Sequence, residues 1–168
     1  MIQNLSSENA TGKSALRTVI TLWLLVGTLD IVSAIIYFSI VSGGKSPDLI
    51  LKYIASAAFG KETAYAGGLV MSLIGLAFHY VIAFGWTILF FILYPRLPFL
   101  QKSKVAAGML YGIFVWIIMN LIVVPFSKIP LMPFKPFHAA INIGILVVAI
   151  GLPLAFMTHQ YYFGKSNE

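Results

Sequence analysis

Two ionisable side chains, Asp30 and His79, lie near the middle of long apolar runs. An ionisable group inside hydrocarbon is costly, so each is expected to face a partner or a water-filled cavity. If neighbouring runs form antiparallel spans, the two side chains reach the same depth, and the sequence predicts that they contact each other. Such a pair would act either as a lock that fixes helix packing or as a relay for protons or ions, since histidine titrates near neutral pH.

The residues around this candidate midplane pair support a position inside the protein. Small residues allow helix backbones to approach closely in a membrane. Near His79 they recur every three or four positions, at Gly68, Ser72, Gly75 and Ala83. On the same reckoning, Asp30 shares one helical face with Trp23, Gly27, Ala34 and Tyr37.

A second polar group, the candidate outer cluster, consists of Asn120, His138 and Asn142. Asn120 stands one turn before the end of an apolar run, and the other two stand one turn apart at the start of the next run. We expect all three near one membrane face, where they could line a shallow vestibule. Alternatively, the two asparagines cap helix ends or bond across helices.

The sequence contains no motif typical of a catalytic, metal-binding, phosphate-binding or nucleic-acid-binding site. The chain has no cysteine, and its histidines, at 79, 138 and 159, lack the spacing of a zinc site. We see no glycine-rich phosphate loop, no G-x-S-x-G motif and no paired carboxylates. The net charge of +6 is spread between apolar runs rather than clustered as in nucleic-acid binders. We therefore predict no enzymatic activity, no metal, no cofactor and no nucleic-acid partner.

The elements that carry these residues are those of a membrane protein. Of the 168 residues, 60% are hydrophobic and 10% charged, against roughly 45–50% and 25% in an average soluble domain. Four apolar runs approach or exceed the roughly 20 residues that cross a bilayer. They cover 18–41, 67–93, 105–124 and 137–158, and form one transmembrane domain over 18–158. Polar tails are expected at 1–17 and 159–168.

A short helix is predicted over 47–59, between the first two spans, because Ser46, Pro47 and Asp48 are typical helix-start residues. It is too short to cross the bilayer and should lie in the interface. Gly108-x-x-x-Gly112 predicts close helix packing in the third span, and Pro153 predicts a bend near Ala149. The expected fold is all-α, an integral membrane antiparallel four-helix bundle with one interfacial helix.

Basic residues predict the orientation of the spans. With both termini in the cytoplasm, six Lys and Arg residues lie on the inner side and five on the outer side. Lys13 and Arg17 also precede the first span. This small excess favours cytoplasmic termini.

Several segments resemble an uncharacterised group of small bacterial inner-membrane proteins described as YagU-like. The segments are Gly27-Thr28-Leu29-Asp30, the run from His79 to Trp86, Tyr111-Gly112, Met119-Asn120, Val124-Pro125-Phe126-Ser127 and Gly151-Leu152-Pro153. The resemblance implies a multi-pass protein of the bacterial inner membrane with four helices, and it supplies no activity.

Two functions are consistent with these patterns. The protein is either a structural or accessory membrane protein, our first expectation, or a small oligomeric transporter or proton- or ion-conducting unit that uses Asp30 and His79. Its partners would be the lipid bilayer, a second copy of the chain, and a small molecule or ion whose identity the sequence does not give. The discriminating observation is whether Asp30 and His79 reach water, because transport requires a polar path and a packing lock does not.

Overall fold

The computed structural model of the protein describes residues 2–129 and 133–164. These residues form helices and connecting turns, and no strand occurs among them. The α-helices are α1 (Ile2–Val41), α2 (Asp48–Phe59), α3 (Lys61–Ala66), α4 (Gly68–Leu93), α5 (Pro98–Gln101), α6 (Lys104–Ile118), α7 (Val124–Phe126), α8 (Pro136–Leu146) and α9 (Leu152–Phe163). A 3-10 turn, Tyr94–Arg96, follows α4, and π-helical segments join α6 to α7 and α8 to α9.

Four helical stretches are long and apolar enough to cross a membrane: Ser14–Val41, Gly68–Arg96, Lys104–Phe126 and Pro136–Phe163. We call them spans 1 to 4. Only 22–33% of the most apolar window of each span is buried inside the protein, so the remaining apolar surface requires lipid. The fold class, an all-α protein with four spans, is confirmed.

Even numbers of antiparallel spans return the chain to the side on which it began. We call the side where span 1 begins and span 4 ends the terminal side, and the opposite side, which carries α2, the α2 side. Which of the two faces the cytoplasm remains a prediction.

The spans extend beyond the predicted runs at both chain ends. Helix α1 begins at Ile2, within the segment expected to be a tail. Helix α9 continues to Phe163 because aromatic residues after position 158 pack on span 2. The Tyr94 hydroxyl lies 3.0 Å from His159 Nδ1, and the Tyr162 hydroxyl donates to the Phe91 carbonyl at 3.2 Å. These contacts order a segment whose polarity alone suggested a solvated tail.

Prolines widen two spans instead of ending them. The π-helical segments Met119–Val123 and Val147–Gly151 stand immediately before the turns that contain Pro125 and Pro153. Proline has no N–H, so the carbonyl four residues earlier loses its helical donor and the preceding turn can widen. Span 3 therefore ends at Phe126, two residues beyond the predicted end at position 124, and Ala149 is the centre of a π-helical turn.

Spans 3 and 4 pack with their backbones in contact. A Cβ atom added at Gly108 would lie 2.9 Å from the Gly151 carbonyl, and one at Gly112 would lie 2.6 Å from Val147 Cα. The Gly-x-x-x-Gly spacing therefore predicted a real close approach. Gly144, which also lies in span 4, has nothing within 4 Å of such an added atom.

The buried core lies in the terminal half of the bundle. Its largest fully buried side chains are Tyr94, Phe90, Leu22 and Leu154. Tyr111 packs on Phe90 with ring centroids 4.6 Å apart. All four spans contribute to this cluster. The terminal half is thus solid, and any internal space must lie toward the α2 side.

Helix α2 packs against the α2-side half of span 2. Gly75 makes this possible, because a side chain there would overlap the Leu51 carbonyl of α2. The Lys128 N–H donates to the Ala57 carbonyl of α2 at 3.0 Å, and this hydrogen bond joins the loop after span 3 to α2. Residues 130–132 of this loop lie outside the described residues.

Candidate functional site

All four spans and α2 line a cavity of about 270 Å³, which we call the deep chamber. Its walls include Asp30 of span 1, His79 of span 2, Trp116 of span 3 and Asn142 of span 4, with Tyr53 of α2 across its α2 side. Helix α2, which packs against span 2 at Gly75, forms part of the chamber wall on the α2 side. At roughly 30 Å³ per water molecule, the chamber has room for several waters.

Asp30 and His79 lie at matching depths in this chamber. Each stands 11 residues from the α2-side end of its span, at Val41 and Gly68 respectively. At 1.5 Å per residue this distance is about 16 Å, half of the roughly 30 Å of hydrocarbon. Both residues are half-buried, and both line the deep chamber.

The two side chains share the chamber without bonding each other. His79 Nε2 donates to the Gly27 carbonyl of span 1 at 2.8 Å. Among the described residues, no hydrogen bond or ion pair joins His79 to Asp30. A direct hydrogen bond between Asp30 and His79 is therefore absent among the described residues, and both side chains line the same cavity.

Close packing between spans 1 and 2 explains this outcome. A Cβ atom at Gly27 would lie 3.0 Å from the Tyr80 ring, so the backbone of span 1 comes within reach of the imidazole. The Trp23 indole donates to the Tyr80 carbonyl at 2.7 Å, and the Thr28 and Tyr80 hydroxyls are 2.8 Å apart. These bonds fix the rotation of the two helices, which sequence spacing could not supply.

Several polar groups in the deep chamber have no protein partner. Trp116 lines the chamber, but its indole N–H, which has no acceptor, is fully buried and does not face the chamber space. The Asp30 carboxylate, the Tyr53 hydroxyl and the Asn142 carboxamide make no hydrogen bond to another described residue. Buried polar groups in proteins are normally satisfied. Unpartnered groups that converge on one cavity are therefore arranged to meet a ligand or water.

Tyr53 lies outside the spans, and burial raises its pKa above the ordinary value of 10.0. The nearby Tyr65 hydroxyl contributes in the same direction. Tyr53 is thus a neutral hydrogen-bonding group over the whole physiological range of pH.

A second cavity of about 630 Å³, the mouth chamber, adjoins the deep chamber on the α2 side. The two share part of their lining: Tyr53, Trp116, Asn120, Val124 and Asn142. The structure brings Asn120, His138 and Asn142 together in the wall of the mouth chamber, with Lys135 at its loop end. Polar side chains therefore extend from the α2 side to Asp30 at the membrane centre.

Members of the outer cluster have separate roles. The Tyr37 hydroxyl forms a hydrogen bond with His138 Nδ1, which joins spans 1 and 4 near the mouth chamber. Asn120 donates to the Trp116 carbonyl one turn earlier in its own helix, at 3.0 Å. Asn142 faces both chambers.

Apolar packing closes the deep chamber on the terminal side. Trp86, Val115 and Ile150 line its lower end, and Val115 and Ile150 belong to the buried core. Beneath them, the Tyr111 hydroxyl donates to the Trp86 carbonyl at 2.6 Å. The polar path thus runs from the α2 side to the membrane centre and ends there.

Sequence reasoning did not single out the aromatic members of this site. Tyr53 lay on the apolar face predicted for α2, and Trp86 and Trp116 belonged to spans rich in aromatic residues. Their role depends on how α2 folds back over the bundle. Spacing within a single helix carries no signal of that arrangement.

Comparison with known proteins gave no match to a family model, to a curated protein or to a solved structure. Within the described part of the chain, His, Asp and Glu side chains form no group of three or more that could hold a metal ion.

Proposed function

We propose that this multi-pass membrane protein is a small transport protein that binds a proton or a cationic solute at Asp30. The observation that supports this proposal is the Asp30 carboxylate at mid-membrane depth, without a protein partner, in a cavity whose polar lining reaches the α2 side. This reverses the preference that the sequence gave to a structural role, because a polar path to Asp30 was the discriminating feature.

An ionised carboxylate in the membrane interior is stable only with a counter-charge or water beside it. The deep chamber offers Asp30 no lysine or arginine. A proton or a cation from the α2 side would supply the missing charge.

His79 acts in this proposal as a positioning group. Because a carbonyl can only accept, Nε2 carries the proton in the bond to Gly27, and neutral imidazole then has Nδ1 free as an acceptor. Nδ1 can receive a hydrogen bond from a solute or from water near Asp30. The closed terminal side favours a carrier that changes conformation over an open pore, and the π-helical turns in spans 3 and 4 are the places where those helices could bend.

The test is proton movement in proteoliposomes. Purified protein is reconstituted with a pH-sensitive dye inside, and a membrane potential is imposed. We expect proton entry that depends on the protein and that Asp30→Asn abolishes, because an amide cannot carry a proton.

Asp48→Asn is the matched control, because it makes the same chemical change at a carboxylate that is bonded to Lys52 at 2.7 Å outside the spans. It should transport like the unmodified protein. His159→Gln tests a histidine at the terminal side and should also be active. Equal proton entry in the Asp30→Asn protein, or entry of neither protons nor a cationic solute in the unmodified protein, would overturn the proposal.

Other properties are proposed on the sequence alone. Residence in a bacterial inner membrane, membership of the YagU-like group, assembly of several copies and the lack of enzymatic activity are interpretations of the residue patterns. Each agrees with a four-span bundle and each awaits its own experiment.

A further inference from the structure

We infer that the solute of the deep chamber is a small organic monocation with a hydrogen-bonding group, such as an amino alcohol. This inference rests on the proposed function and makes its site specific. It is drawn from three properties of the chamber lining: its charge, its aromatic side chains and its unpartnered polar groups.

The charge of the lining selects for a cation. Among the residues that line the deep chamber, Asp30 is the one acidic group, His79 is the one histidine, and there is no lysine or arginine. The ionised Asp30 carboxylate is the one acidic charge in this lining. Anions are excluded, and a monovalent cation balances the carboxylate.

The aromatic side chains favour an organic cation over a metal ion. Trp86, Trp116 and Tyr53 line the same chamber as Asp30, and most of its other residues are aliphatic. Hard metal cations require several oxygen ligands, carboxylates above all, and Asp30 is the one carboxylate in the lining. Alkylated ammonium groups are instead attracted to the faces of indole and phenol rings and tolerate aliphatic walls.

The volume of the chamber limits the size of the solute, and the unpartnered polar groups indicate that the solute forms hydrogen bonds. The chamber, at about 270 Å³, is just below the roughly 300–1,000 Å³ of sites for drug-sized ligands, so the solute is small. The Tyr53 hydroxyl and the Asn142 carboxamide line the chamber and make no hydrogen bond to another described residue. A hydroxyl group on the cation can bond to either of them.

The experiment compares choline with 3,3-dimethylbutan-1-ol, which has the same shape and hydroxyl but a carbon in place of the charged nitrogen. Binding to the full chain in detergent is followed by tryptophan fluorescence and by calorimetry. We expect saturable choline binding, and binding of the neutral alcohol weakened at least tenfold, since a charge-assisted contact with a carboxylate and ring faces is lost.

Variants separate the contributions. Asp30→Asn should abolish choline binding, while Trp116→Phe should retain more affinity than Trp116→Leu because phenylalanine keeps a ring face. Phe99→Leu is the control for loss of an aromatic ring: Phe99 is exposed and lies outside the chamber lining, and the substitution should leave choline affinity unchanged. Each variant is first checked for an unchanged melting temperature in detergent.

The outcomes separate this inference from the proposed function. Equal binding of choline and the neutral alcohol, no choline binding at all, or equal affinity of the two Trp116 variants would overturn the inference. If proton entry still depends on Asp30 in any of these outcomes, the proposed function stands with a different cation. If choline binds but the proteoliposomes take up neither protons nor choline, the site is correct and the transport proposal fails.

Discussion

The position of α2 depends on Gly75. We expect Gly75→Ala to displace α2 and so loosen the wall that α2 forms in the deep chamber. A methyl group at this position would overlap the Leu51 carbonyl, which is backbone and cannot rotate away. Helix α2 would have to move as a unit, and with it Ile50, Tyr53 and Ile54, which line the deep chamber.

A matched substitution isolates the size of this effect. Gly85 lies in the same helix, and nothing stands within 4 Å of an added Cβ atom there. Alanine is favoured over glycine in helices by up to about 1 kcal/mol, a gain common to both positions. Overpacking a tight contact costs typically about 1–3 kcal/mol. The Gly75→Ala protein should therefore be less stable than the Gly85→Ala protein by about 1–3 kcal/mol, or roughly 5- to 150-fold in the unfolding equilibrium.

The assay is reversible unfolding in mixed micelles, followed by circular dichroism, on both variants and the unmodified protein. A cysteine placed at Ile54 in each background reports on the chamber, because the natural chain has no cysteine. We expect its modification by a water-soluble thiol reagent to be faster with Gly75→Ala. Equal stability of the two variants, with equal modification rates, would refute the close packing of α2 on span 2.

Three further results are expected. Asp30→Leu should leave the free energy of unfolding unchanged or raise it, because no protein group bonds the carboxylate. His79→Leu should lower the free energy of unfolding by about 0.6 kcal/mol, and by no more than about 1.7 kcal/mol, because the bond to Gly27 is lost. Unfolding in micelles measures both. Burial raises the pKa of Tyr53 above 10.0, so the folded state holds this proton more tightly than the unfolded state. The resulting stabilisation is present below about pH 10 and is lost as the pH rises through the folded-state pKa; Tyr53→Phe should show a smaller fall in melting temperature above pH 10. Finally, cysteines at positions 12 and 166 should resist an impermeant reagent added to intact cells, and labelling of either would reverse the predicted orientation.

The elements of the fold could be predicted because composition alone determines them. Spans of this hydrophobicity have no stable alternative to crossing the bilayer, and the predicted helix over 47–59 differs from α2 by one residue at its start. The errors fall at chain ends and prolines. There, tertiary contacts such as Tyr94 with His159 decide where a helix stops, rather than local polarity.

The site was less accessible to sequence reasoning. Helical periodicity gave the depth of Asp30 and His79, and it put them on faces that turn inward. It could not give the rotation of one span against another, which the fit of Gly27 to Tyr80 determines and which directs His79 to a backbone carbonyl. The cavity itself depends on Gly75 and on the tie between Lys128 and Ala57, contacts that join segments far apart in the chain.

Transport depends on water access to the deep chamber from the α2 side. The reactivity of a cysteine placed in the chamber wall measures this access. Ala34 lines the chamber one turn from Asp30, whereas Ile36 is 55% exposed on the bundle surface that faces lipid. Lys45→Cys, in the turn before α2, identifies the α2 side in sealed vesicles. An impermeant thiol reagent added on that side should modify Ala34→Cys much faster than Ile36→Cys, and prior addition of choline should slow the reaction. Modification of Ala34→Cys no faster than that of Ile36→Cys would show that water does not reach Asp30. The Asp30 carboxylate would then be a buried group with no role in transport.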